Sequence, residues 1–339
     1  MLLHKRNLCA PALALFAVSS LVASAHDADQ TLIITSSNQT QNELLVYDNA
    51  GHLLQSLPTQ GAGGVGGNAG GIAATRRLVA VVNFSSQSVS IFGVRERGLD
   101  LLQKIEPASK PVSVAFGDDH LYILGDTSVE SHWISESHIS HHADGVSNLL
   151  KADGSAAQVG VLPGELIITE KSNVIETVKL AGDGAVDGPA TLVSNIPTNV
   201  DTPFGLITRG DNAYVTIAHA NETSLVRDDR VLTTTGSGTQ KSPCWLALEG
   251  PFLFSSNSPS LSISRYAVYG QHVVLDNEVA ARLAGAPTDI AAVHGLLAVL
   301  DGSGHLSIFN VDEDGDLTLA AAPQVGSVAN GVVIVHRER

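Results

Sequence analysis

Short apolar runs flanked by turn formers recur seven times along the chain, spaced about 40 to 48 residues apart. The first four are Leu32-Ile33-Ile34-Thr35, Val79-Ala80-Val81-Val82, Leu121-Tyr122-Ile123-Leu124 and Leu166-Ile167-Ile168-Thr169. The remaining three are Ala213-Tyr214-Val215-Thr216, Leu253-Phe254-Ser255-Ser256 and Leu297-Ala298-Val299-Leu300. Such runs are too short for helices and rich in β-branched residues, so each reads as a buried strand. A strand-built period of this size predicts an all-β propeller.

Each repeat has four parts. A run opening on Pro or a small residue comes first, as in Pro111–Phe116, Pro203-Phe204-Gly205-Leu206-Ile207, Pro243-Cys244-Trp245-Leu246 and Pro287-Thr288-Asp289-Ile290. Proline is tolerated at a strand's first position, where no ladder N–H is needed. The apolar core run follows after a tight turn such as Gly117-Asp118-Asp119. An alternating strand is third, for example Val174-Ile175-Glu176-Thr177-Val178, and a weak fourth belongs at the rim. The N-terminus opens on a second-type run, and Asn330-Gly331-Val332-Val333-Ile334-Val335 supplies the missing first strand. The expected architecture is therefore a seven-bladed β-propeller of four-stranded blades, closed by pairing of the C-terminal strand into the first blade. Two segments stand outside the pattern. Asp126 to Leu150 is polar and rich in histidine, and Gly61 to Gly71 holds seven glycines, which suggests a flexible loop.

Residues 1–25 change the picture at the N-terminus. His4-Lys5-Arg6, an apolar stretch from Cys9 to Val22 and Ala23-Ser24-Ala25 have the order of a secretory signal peptide. A secreted or periplasmic protein is expected, with one propeller domain over residues 26–339 and no membrane association after cleavage. Cleavage leaves Cys244 as the single thiol, so stability must come from core burial rather than a disulfide. Beside Trp245 in an apolar run, Cys244 reads as a core residue. The whole chain carries a formal charge of −15. That sign opposes binding to nucleic acid and anionic membranes. An acidic ring without edge strands is expected to be a monomer.

Function in a propeller gathers where strand ends converge at a channel mouth. The residues just after the second strands are Ser36, Asn83, Gly125, Glu170, Ile217, Asn257 and Asp301, with Asp126, Lys171 and His219 close behind. Among these, Asn83, Asp126, Asn257 and Asp301 are candidate ligand-binding residues. Glu170 is the candidate general base, activated by partial burial, and Lys171 or His219 would polarise a carbonyl or hold a carboxylate. The simpler alternative is that these groups cap strand ends. His132, His138, His141 and His142 lack clear metal-ligand spacing, so no metal or other cofactor is expected. Asp312-Glu313-Asp314-Gly315-Asp316 lacks the terminal Glu of a calcium loop and reads as a solvated turn.

Leu166-Ile167-Ile168-Thr169-Glu170-Lys171, Thr202-Pro203-Phe204-Gly205, Ser242-Pro243-Cys244-Trp245 and Ala286-Pro287-Thr288-Asp289-Ile290 resemble segments of the secreted, seven-bladed lactonase-like propellers. That family includes 6-phosphogluconolactonase and 3-carboxy-cis,cis-muconate cyclase. The resemblance implies a metal-independent lactone hydrolase or cyclase acting on a small anionic lactone. The family's enzymes carry His, Glu and Arg at one mouth, whereas Ala157-Gln158-Val159 here replaces a His-bearing first strand. A second reading therefore stands beside the first: a non-catalytic extracellular propeller that binds a small polar ligand or a protein.

Overall fold

The computed structural model describes residues 31–96, 98–136, 138–195 and 202–337. The expected signal peptide lies outside them. The described strands form seven antiparallel sheets, arranged as the blades of a propeller. The first blade takes Asn330–His336 as its innermost strand, beside Thr31–Ser36, Glu43–Tyr47 and Leu53–Pro58. Its closing register runs from Thr31 opposite His336 to Thr35 opposite Val332. Blade 2 contains Ile72–Ala74 to Gly98–Ile105, blade 3 Pro111–Phe116 to Gly145–Asn148, and blade 4 Ala156–Leu162 to Thr191–Leu192. Blades 5, 6 and 7 open with Pro203–Arg209, Pro243–Glu249 and Pro287–Val293.

The second strands are the buried middle of each sheet. Leu121 to Leu124 and Leu297 to Leu300 are almost wholly out of solvent, because neighbouring blades cover both faces. Each Leu, Ile or Val among them contributes roughly 1.5–3 kcal/mol of burial free energy. The seven first strands line the channel. In blades 3 to 7 each carries a bulge just after its first residue, at Pro111/Ser113, Ala156/Gln158, Pro203/Leu206, Pro243/Trp245 and Pro287/Asp289. A bulge re-aims the side chains around it. Three of the residues that resume pairing tie neighbouring first strands together. Ser113 Oγ accepts from Val159 N (3.3 Å), Gln158 Oε1 from Leu206 N (2.7 Å), and Asp289 Oδ2 from Val332 N (3.1 Å).

The irregular histidine-rich segment is a hairpin at the rim of blade 3. Ser128–Ser135 continues past the blade to pair Ile134 with Ile139, and Gly145–Asn148 then returns as the fourth strand. Its histidines separate. His132 is buried between Glu130 Oε1 (2.9 Å) and the Ser140 carbonyl (2.8 Å), while His138 and His141 meet ring to ring at the surface. Among the described residues no group of three or more His, Cys, Asp or Glu side chains converges as a metal site. The acidic segment at 312–316 is a turn in which Asp312 Oδ1 accepts from the N–H groups of Asp314 and Asp316.

Candidate functional site

The glycine-rich segment is a plug rather than a flexible loop. It crosses the channel mouth at which the second strands end, and it bonds to four other blades. Asn68 Nδ2 donates to the Val112 carbonyl of blade 3 (2.6 Å), and Ala69 N to the Ala157 carbonyl of blade 4 (3.1 Å). Trp245 Nε1 of blade 6 donates to the Asn68 carbonyl (3.1 Å), and Asn330 Nδ2 of blade 1 to Asn68 Oδ1 (3.1 Å). Glycine is required where the chain reverses. Gly67 and Gly70 have φ of +62° and +64°, and a Cβ on Gly70 would stand 2.9 Å from Ser113 Oγ. Glycine content alone measures conformational freedom and not the partners that remove it.

Outside the plug lies a mouth cavity of about 1030 Å³. Its lining comes from the 38–41 turn, the outer half of the plug, Ser85, Trp245, Thr288 and the 327–330 segment. None of those lining residues carries an ionisable side chain; amides, hydroxyls and the Trp245 indole face the space. Thr288 Oγ1 is buried there without a hydrogen-bond partner. Under the plug, a channel cavity of about 330 Å³ runs between the first strands, and Asp289 is its carboxylate. Burial pushes Asp289 up to about 7, although the N–H groups of Ile290 and Val332 both donate to it.

The residues singled out in the sequence lie elsewhere. Glu170, Lys171, His219, Asn83, Asp126, Asn257 and Asp301 line neither the mouth cavity nor the channel. Glu170 ends the second strand of blade 4 and is fully buried against blade 3, where its Oε1 accepts from Lys151 N (3.1 Å). Two residues into the next strand, Glu176 faces the same seam and its Oε2 accepts from Leu150 N (2.9 Å). The remaining oxygens, Glu170 Oε2 and Glu176 Oε1, are buried and unpartnered. Burial raises the Glu170 carboxyl, and burial together with the neighbouring Glu170 charge raises Glu176 to about 7.

Lys171 holds the plug down. Its ammonium donates to the carbonyls of Gly67 (2.7 Å) and Ala156 (3.1 Å), and burial lowers its pKa. His219 stands exposed on a single 3-10 turn, Ala218–Ala220, with Nδ1 beside Thr202 Oγ1 (3.0 Å). Asn83 and Asn257 each donate to a serine of the next strand, Ser90 and Ser264, at 2.8 Å. Asp301 accepts from the N–H groups of Ser303, His305 and Gly285. Asp126 accepts from Lys110 N at the surface. Cys244 is half-buried, donates to the Ser242 carbonyl (3.2 Å), and has its thiol pushed up to about 12 by the surrounding protein. That environment disfavours a nucleophilic thiolate.

Four residues escaped the sequence reading: Asn68, Trp245, Glu176 and Asp289. Two carried a usable signal. Glu176 is a charged residue at an inward position among the apolar and Thr residues from Val174 to Val178, and Trp245 is the large aromatic side chain at the channel-facing step of a first strand.

No protein-family model matches the sequence. Among curated proteins no relative is found. Among solved structures the chain is similar to a “putative 6-phosphogluconolactonase” from Bacteroides fragilis, at 17% identity and a TM-score of 0.67, covering 92% of this chain and 99% of that one. The likeness is one of fold. A second “putative 6-phosphogluconolactonase”, from Bacteroides uniformis, matches at 15% identity and TM-score 0.66 over 89% of this chain and 99% of its own. A functionally unknown protein from Desulfotomaculum acetoxidans matches at 13% and 0.68 over 92% and 100%. The chain thus has the propeller fold of these lactonase-named proteins along nearly its whole described length.

Proposed function

We propose that the chain is an exported, lactonase-like propeller protein that binds an uncharged, hydroxyl-rich small molecule in the plugged mouth. The observation that carries this reading is the lining of the 1030 Å³ cavity, which offers amides, hydroxyls and an indole but no ionisable side chain. Amides and hydroxyls both donate and accept, which suits hydroxyl groups, and the indole gives an apolar surface to C–H faces. An anionic or phosphorylated lactone would call for the basic groups this lining lacks. Export rests on the basic, apolar and small-residue order of residues 1–25.

A second reading, hydrolysis of a lactone with Glu170 as base, is favoured by the raised carboxyl and unpartnered oxygen of that residue. It requires the blade 3/4 seam to open to substrate.

Calorimetric titration of residues 26–339 with hexoses, hexitols, neutral aldonolactones and anionic lactones separates the two. Saturable binding of a neutral compound is expected, weakened about fivefold to tenfold by Asn330→Ala, the effect of one lost hydrogen bond. Turnover of any lactone that Glu170→Gln abolishes would overturn the binding reading in favour of catalysis.

A further inference from the structure

The channel beneath the plug holds a charge that the fold does not balance. Asp289, on the first strand of blade 7, is 6% exposed and is the one ionisable side chain lining the cavity of about 330 Å³. Its Oδ1 accepts from Ile290 N (2.8 Å) and its Oδ2 from Val332 N (3.1 Å). Both donors are neutral, and no Lys, Arg or His side chain lines the cavity. A carboxylate oxygen can accept about two hydrogen bonds, so each keeps acceptor capacity. Tying the strands does not call for the charge. At the same step after the bulge, Ser113 and Gln158 accept from the next first strand with neutral oxygens. Blade 7 makes the equivalent bond with an acid, and a buried carboxylate without a counter-ion is costly.

The rest of the wall suits a small organic cation. Each first strand sits at one end of its sheet and pairs on one side only. Its free edge therefore presents unpaired backbone carbonyls, which accept from an ammonium. Trp245, at the matching step of blade 6, lines the same cavity and offers an indole to a cation. Leu206, Ala247 and Val293 add apolar surface for a short carbon chain. The cavity is open to solvent, and the net formal charge of −15 draws cations toward the protein.

We propose that the channel binds a small primary alkylammonium ion, whose N–H groups donate to the Asp289 carboxylate and to first-strand carbonyls. The charge-assisted bond to Asp289 sets the orientation, and the Trp245 indole and apolar side chains cover the carbon chain. The site lies under the plug and does not depend on the neutral ligand proposed for the mouth.

The test is calorimetric titration of residues 26–339 with butylammonium chloride and, in parallel, with butanol. It is run at about pH 8, where Asp289 is ionised, and in about 0.15 M salt, which screens the acidic surface. Butylammonium should bind saturably and at least about tenfold more tightly than butanol. Asp289→Asn keeps an amide oxygen for Val332 N, as Gln158 does for Leu206 N, and should bring butylammonium to the level of butanol. At about pH 7 binding to the wild type should also release about half a proton per ligand, because Asp289 titrates there. Calorimetry reads that release as an enthalpy that varies with the buffer, and ordinary surface carboxylates, ionised well below that pH, would release none. This readout needs no variant, so it decides the matter if Asp289→Asn does not fold. Equal binding of the two compounds, binding of neither, no proton release, or butylammonium binding unchanged in Asp289→Asn would each overturn the proposal.

Discussion

The seam between blades 1 and 2 and the seam between blades 3 and 4 solve one problem with different chemistry. In both, the residue that ends the second strand and the residue two steps into the third face the preceding blade and catch the linker arriving from it. In blade 2 the pair is Asn83 and Ser90. Asn83 Oδ1 accepts from Asn42 Nδ2 (3.0 Å) and Thr59 Oγ1 (2.7 Å), and Ser90 Oγ donates to the Thr59 carbonyl (2.6 Å). In blade 4 the pair is Glu170 and Glu176, which accept from the linker's Lys151 and Leu150 N–H groups. The neutral pair can donate as well as accept, so its bonds close. Two carboxylates only accept when ionised, so one oxygen of each stays without a partner. A shared position in the repeat therefore fixes the mechanical role and leaves the protonation behaviour to the residue type.

The largest effect that would break this comparison is expected at the neutral seam. Asn83→Ala removes the buried amide that accepts from Asn42 and Thr59 and donates to Ser90, and should lower unfolding free energy by about 2–3 kcal/mol in urea denaturation. A change within experimental error would mean that the latch is not what holds those blades.

The carboxylate seam should respond to pH instead. Glu176 titrates near 7 in the folded protein against an ordinary value of 4.5, so the folded state binds the extra proton between those limits. Stability is then fully present below about pH 4.5 and is lost as pH rises through 7, by about 3 kcal/mol for this residue. Asp289, also near 7, adds in the same direction. Glu176→Gln should be close to neutral at pH 5 and stabilising at pH 8, leaving a shallower slope from Asp289 and the raised Glu170. A slope unchanged by Glu176→Gln would contradict the assignment.

Smaller still, Glu170→Gln keeps the acceptor for Lys151 N and removes the charge beside Glu176. Stability at pH 5 should change by less than about 1 kcal/mol, and the pH midpoint should move down because the like charge is gone. Lys171→Met should cost about 1 kcal/mol by releasing the Gly67 and Ala156 carbonyls. Hydrogen exchange should report it as faster exchange confined to the plug.

The fold was legible because strand burial is written locally. Leu32-Ile33-Ile34 and Leu297-Ala298-Val299-Leu300 are apolar at every step, as strands covered on both faces must be, and the out-of-phase ends show that Val332 to Val335 returns to blade 1. The polar positions were less legible. Counting from the strand end gives the depth of Glu170 correctly but not the neighbour it faces, and that neighbour is the blade 3 linker rather than the channel. Glu176 looked like one more member of an alternating strand. The glycines from 61 to 71 gave no hint of Asn68, whose partners Val112, Trp245 and Asn330 come from three blades that only the closed ring brings together.

The most direct test of the account reads the mouth itself. The chain holds two tryptophans, so Trp133→Phe leaves Trp245 as the single indole reporter, at the junction of plug, mouth cavity and channel. Titrating this variant with neutral hexoses and hexitols should shift the Trp245 emission saturably, with the same midpoint in the Glu170→Gln background. Emission unmoved by every neutral ligand, together with lactone turnover that depends on Glu170, would contradict it.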